Sequence, residues 1–158
     1  MKSQTHVWFS LGTSFYPLAH LVGLTPALIL AAALSAVVNF LIDALGHERR
    51  GGVPRRTPAT HDPVNAAALG AATGGLVGWA LGYWFGPHIA VHGVWAGAYV
   101  ALGHLLLDLF TGHGIYIRRG GRYRRVAKGR LRYDDKLANT LASLLGVVLF
   151  LYALVKSF

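Results

Sequence analysis

Two short stretches hold side chains that can do chemistry together. In "GHLLLDLFTGHG", residues 103–114, His104 and Asp108 stand four apart and His113 follows. In "NFLIDALGH", residues 39–47, Asn39, Asp43 and His47 are spaced i, i+4, i+8. On a helix each set lies along one face. Imidazole and carboxylate groups presented in that way converge on a cation, as they do in the cores of helix bundles. The chain has no Cys, which excludes a disulfide framework, a thiolate metal site and a Cys nucleophile. A ligand set of His and carboxylate suits zinc, manganese or iron.

The elements that must carry these residues are apolar. The chain is 54% hydrophobic and only 13% charged, against about 25% charged in soluble domains. Its 158 residues imply one domain, 1–158. Runs at roughly 5–22, 25–46, 63–85, 88–111 and 135–157 approach the length of a membrane span, about 20 residues. The first is the weakest, because it contains Pro17 and His20. It lacks a small-residue cleavage site and reads as a retained helix. The third is rich in Gly and Ala, which let helices approach closely, so a central packing helix is expected there. The fold class is therefore all-α: a multi-pass membrane protein of about five transmembrane helices.

Basic residues orient these spans. The loop 47–61 carries Arg49, Arg50, Arg55 and Arg56, and the loop 112–135 carries a longer run including Arg118. Positive-inside bias places both loops in the cytoplasm, the N-terminus with them and the C-terminus outside. That topology gathers all six acids and five of the eight His at one membrane face. His6 begins the first span. Asn39, Asp43 and His47 end the second, and His61 and Asp62 precede the third. His104, Asp108 and His113 end the fourth, and Asp134, Asp135 and Asn139 begin the fifth. His20, His88 and His92 lie at the other face and read as interfacial or packing residues.

Each residue also has a plainer role open to it. Asp43 and Asp108 lie about one turn inside the boundary, where an unpaired carboxylate is costly and points to function, although pairing with a neighbouring His or Arg would also hold it. His47 suits a helix C-terminus. Asp62 before Pro63 reads as an N-cap ahead of a ligand. His113 is either an ordinary loop residue or a functional one. Most loop arginines are accounted for by topology and by attraction to anionic lipid; nucleic-acid contact is the weaker reading. Arg55 and Arg56, close before His61, are candidates to hold a phosphate.

The blocks "THVWFS", "NFLIDALGH", "RRTPATHD" and "GHLLLDLFTGHGIYI" together resemble the predicted membrane-bound metal-dependent hydrolases, a family of LexA-regulated bacterial inner-membrane proteins and archaeal relatives. His6, His61, and the series His104, Asp108, Thr111 and Gly114 match its blocks. The second block keeps Asp43 and a later His47 without the family's Pro and doubled Asp. The third has Arg55 or Arg56 where the family has His, and these departures fit the archaeal branch better. The order His6, Asp43, His61, His104, Asp108 is similar also to the ligand order of zinc-dependent phospholipase C and P1-type nucleases. The N-terminal Trp and later HxxxE pair of those enzymes are missing.

The first resemblance implies a metal-dependent hydrolase without implying its substrate, and the second points toward phosphoester chemistry. A site at helix ends near the interface of the plasma membrane meets lipids first, so a phospholipid or lipid-phosphate head group is the expected substrate. His6, Asp43, His47, His61, His104 and Asp108 are the expected ligands of a divalent metal, zinc first, in unspecified number. Asp43, Asp108 and His113 are the catalytic candidates. Asn39, Arg55, Arg56, Arg118, Asp134, Asp135 and Asn139 are the substrate-binding ones. The rival expectation is a membrane scaffold with a structural metal site whose basic loops dock anionic lipid, DNA or a protein partner.

Overall fold

The computed structural model describes residues 1–50 and 53–156. They form six helices and two β-hairpins in the order α1 (Ser3–Val22), α2 (Leu24–Gly46), β1 (His47–Arg50), β2 (Val53–Arg56), α3 (Pro58–His61), α4 (Pro63–Phe85), α5 (His88–Leu109), β3 (Ile115–Arg119), β4 (Arg122–Val126) and α6 (Lys136–Lys156). The fold is mainly helical. α2, α4, α5 and α6 are long and apolar enough to cross a membrane. α1 is not among them: its 20 residues include Thr, Ser, Gln, His and Pro17.

Local chemistry sets the helix ends. Gly23 joins α1 to α2 at φ +83°, and Gly86 joins α4 to α5 at φ +99°. Both values favour a residue without a Cβ. Asp62 is the N-cap of α4: its Oδ1 accepts from the Val64 and Asn65 amides at 3.1 and 3.3 Å, with Pro63 in the first turn. This satisfies two of the orphan amides that a helix start leaves.

The core lies between α1, α2 and α5, where Phe15, Leu18, Leu30, Leu34, Val38, Ile42, Val100 and Leu105 are buried. α4 lies along α5 with backbones in contact. A Cβ at Gly74 would run into the Gly93 carbonyl, and one at Gly97 into that of Gly70. Its small residues do bring the helices close, yet α4 is not the central helix. Leu76, Trp79, Tyr83 and Trp84 are exposed on its other side, and α2 and α5 occupy the middle. A single glycine stripe buries one face of a helix and leaves the others free.

The two basic segments are more ordered than loops. β1 and β2 pair with His47 opposite Arg56 and Glu48 opposite Arg55. β3 and β4 pair from Ile115 opposite Val126 to Arg119 opposite Arg122, around Gly120 and Gly121 at φ +55° and +74°. Two successive positive-φ glycines match the tight turn that right-twisted hairpins need.

Candidate metal centre

The helix ends bring five of the expected ligands together. His6 enters from the start of α1, Asp43 from the end of α2, His61 from α3, and His104 and Asp108 from the last turns of α5. Two overlapping groups result, His6–His104–Asp108 and Asp43–His61–His104, and the ligand atoms of each lie within 4.8 Å of one another. His6, His61, His104 and Asp108 are buried, whereas the Asp43 side chain keeps 29% exposure and faces the way out.

Asp108 is the hub. Its Oδ2 lies 3.3 Å from His104 Nε2 and 3.7 Å from His61 Nε2. Its Oδ1 lies 3.3 Å from His6 Nε2, 2.6 Å from Arg56 Nη2 and 2.9 Å from the Met1 amino nitrogen. Asp43 Oδ1 stands 3.6 Å from His104 Nε2. The His6 and His104 rings stack with centroids 3.8 Å apart.

Surrounding groups decide which imidazole nitrogens carry protons. Asn39 Nδ2 donates to the Ser35 carbonyl at 2.7 Å and to Ser10 Oγ at 3.2 Å. That orients the amide, so Asn39 Oδ1 accepts from His104 Nδ1 at 2.8 Å. Thr60 Oγ1 donates to the Ile42 carbonyl at 2.7 Å, and so accepts from His61 Nδ1 at 3.2 Å. With both Nδ1 atoms assigned as donors from the network, each ring in its neutral form turns the Nε2 lone pair inward. His61 stays neutral, because burial and then the Arg56 guanidinium lower its pKa to about 3. His61 Nε2, His104 Nε2 and Asp108 Oδ2 are buried without a hydrogen-bond partner.

This donor set fits a divalent ion. Ligands at about 2.0–2.1 Å around a tetrahedral zinc stand about 3.3–3.4 Å from each other. The Nε2–carboxylate separations of 3.3, 3.6 and 3.7 Å are close to that spacing. Asn39 and Thr60 fix the orientation of the two rings, as hydrogen-bond acceptors do around histidines that bind a metal. Gly46 makes room for one of them: a Cβ there would collide with Thr60 Oγ1 and come within 2.6 Å of the His61 ring.

The remaining candidates occupy different places. The His47 ring lies 5.2 Å from that of His61, and its Nδ1 is 2.7 Å from the Asp43 carbonyl and 3.9 Å from Asp43 Oδ1. His47 borders the centre without joining either ligand group. Asn39 faces His104 and is spent on orienting it rather than on a substrate. Arg56 is committed inward: besides Asp108, it donates to Thr111 Oγ1 and the Gly114 carbonyl, each at 3.0 Å. Arg55 and Arg118 are exposed on the two hairpins.

His113 is exposed, and partial burial followed by Arg56 and Arg125 lowers its pKa. Asp134 pairs with exposed Arg132 at 3.1 Å, and that hydrogen bond lowers its pKa. Asp135 Oδ1 accepts from the Ala138 amide at 2.9 Å, capping α6. Asn139 Oδ1 accepts from the Lys2 amide and Thr5 Oγ1, and its Nδ2 donates to the Tyr133 and Asp135 carbonyls. Asp135 and Asn139 tie α6 and its approach in place, and none of the three belongs to either ligand group.

A cavity of about 620 Å³ opens over the exposed side of the centre, lined by Asp43, His47, Arg56, His113, Tyr133 and the first three residues. Thr60, Thr111 and Gly46 are the supporting residues that spacing did not single out. Only the block resemblance marked Thr111.

Fold and site together define a mainly helical protein whose helix ends enclose a buried His/Asp centre. The chain belongs to the family described as "Protein of unknown function (DUF1286)", which it matches over residues 1–107. No curated protein and no solved structure matches it.

Proposed function

We propose that this chain is a multi-pass membrane hydrolase that uses a divalent metal, zinc first, to cleave a phosphoester at the cytoplasmic face of the cell membrane. One observation carries the reading: His61 and His104 turn inward lone pairs toward Asp108 Oδ2 at 3.7 and 3.3 Å, with no hydrogen bond between them. His6 and Asp43 complete the set. A closed structural site would bury every ligand. Here Asp43 is partly exposed beneath a cavity large enough for a phosphorylated head group. The resemblance to membrane-bound metal-dependent hydrolases points the same way.

A divalent ion held by these residues would lower the pKa of a water to about 7 and polarise the phosphoryl oxygen. Asp43, the ligand nearest solvent, takes the proton of the attacking water. The water oxygen bonds to phosphorus, and the ester P–O bond breaks with its electrons passing to the departing oxygen. The proton taken by Asp43 passes to that oxygen, relayed by His113 on the rim of the same cavity. The products are a phosphate-bearing half and an alcohol. The site lies at helix ends beside basic hairpins, where anionic lipid head groups collect.

The test is elemental analysis of protein purified without chelator, followed by phospholipid and lipid-phosphate hydrolysis with and without chelator. Near-stoichiometric metal and chelator-sensitive turnover are expected. Metal-free protein, or turnover indifferent to chelator, refutes the reading.

A further inference from the structure

A second cavity, of about 380 Å³, adjoins the first and is lined by Arg55, Arg56, His113, Tyr116 and Arg125. It shares Arg56 and His113 with the cavity over Asp43. No carboxylate is among its lining residues. Hairpin register explains how Arg125 arrives there. Tyr116 stands opposite Arg125, and Arg118 opposite Tyr123. Alternation puts these four on one face and Ile117 with Arg124 on the other. The Tyr116 hydroxyl donates to the Arg56 carbonyl at 3.1 Å and holds that face over β2. The Arg56 guanidinium turns away toward Asp108, Thr111 and Gly114. Glu48 stands opposite Arg55 across β1–β2. The Arg125 side chain makes no hydrogen bond or ion pair among the described residues, and is the cation most dedicated to the pocket.

We propose that this pocket, built on Arg125 and Arg55, binds a phosphate-class oxyanion beside the His/Asp centre, so that the ligand spanning both cavities carries two adjacent anionic groups, as a diphosphate does. The planar guanidinium fork suits phosphate oxygens. A single phosphoester at Asp43 would leave Arg125 without an anionic partner among the described residues. The two-anion ligand rests on the hydrolase reading; the oxyanion pocket itself does not.

Calorimetric titration of the detergent-solubilised protein with inorganic phosphate, in the presence of chelator, tests the pocket without the metal. Arg125→Gln should weaken binding about tenfold or more, the loss expected for a charge-assisted hydrogen bond. Arg124→Gln, on the opposite hairpin face, should bind as the wild type does. Equal loss in both variants, or none in Arg125→Gln, overturns the proposal.

A second measurement compares the monophosphate and diphosphate of one alcohol on metal-loaded protein. One arm uses a soluble nucleoside pair, and the other a lipid pair in mixed micelles. The diphosphate should be preferred, with KM raised about tenfold by Arg125→Gln, and the arm showing this identifies the source. Equal use of both esters by the wild type overturns the two-anion ligand. Phosphate binding that depends on Arg125 without hydrolysis of any ester upholds the pocket and removes the hydrolase reading.

Discussion

Replacing Asn39 by Leu tests the metal centre without touching a ligand. Asn39 is buried and supplies the acceptor, 2.8 Å away, that holds the proton of His104 on Nδ1. Leu has similar volume and no acceptor. The imidazole then has two options. It keeps the proton on Nδ1 as an unsatisfied buried donor, which costs about 1–3 kcal/mol. Alternatively it moves the proton to Nε2, which faces Asp108 and Asp43, and gives up the lone pair a metal needs. Either route weakens metal binding, by about 10- to 100-fold on the usual scale for outer-shell partners of metal-binding histidines.

The assay is competition for zinc against a fluorescent chelator, with thermal unfolding of the metal-free protein measured alongside. Asn39→Asp restores an acceptor for His104 but turns a second oxygen toward the Ser35 carbonyl that now accepts from Asn39 Nδ2. It should unfold at lower temperature than wild type yet hold zinc more tightly than Asn39→Leu. If Asn39→Leu binds zinc as tightly as wild type, His104 Nε2 is not a ligand.

Gly46→Ala should disturb His61 directly, because the new methyl collides with Thr60 Oγ1; zinc affinity measured by the same competition should fall about tenfold or more. Ser35→Ala should be neutral or stabilising in thermal unfolding, since Ser35 Oγ is buried with no partner and its removal relieves a desolvated hydroxyl. Gly97→Leu should lower expression and thermal stability sharply, because even a Cβ at that position meets the Gly70 carbonyl, and α4 and α5 must part to admit the side chain.

Helix positions were legible because hydropathy reports them directly. The expected run 63–85 coincides with α4, and 25–46 differs from α2 by one residue. The hairpins are less legible, although their signals are present. "IYIRRGGRYRRV" places Gly-Gly between two short runs rich in β-branched and aromatic residues, but its density of arginine points to orientation and anionic lipid ahead of strand pairing. The gathering of His6, Asp43, His61, His104 and Asp108 was legible because topology alone sends those helix ends to one face. What each side chain does there was not. Arg56 looks like a phosphate clamp beside His61 in the sequence, and only the return of α5 shows Asp108 taking it. Asn39 shares a helical face with Asp43, but helical spacing cannot say that its amide is turned to His104 by the Ser35 carbonyl.

The two oxygens of Asp108 separate an ion-pair hub from a metal site. Oδ1 has cationic partners in Arg56 at 2.6 Å and the Met1 amino nitrogen at 2.9 Å, beside His6 Nε2 at 3.3 Å. Oδ2 is different. Its neighbours are two Nε2 atoms at 3.3 and 3.7 Å, on rings whose protons are held elsewhere, and it has no hydrogen bond. A carboxylate oxygen facing two lone pairs in a buried site is repulsive until positive charge enters. A proton on one Nε2 would relieve one of these contacts and draw its partners toward the 2.7–2.9 Å of a charge-assisted hydrogen bond. It would leave the other nitrogen facing the carboxylate. A divalent ion relieves both at once and takes in Asp43, already 3.6 Å from His104, at separations that need little change. The burial of the histidines, their outward-held protons and the spacing of the inner atoms therefore all favour a metal over a shared proton.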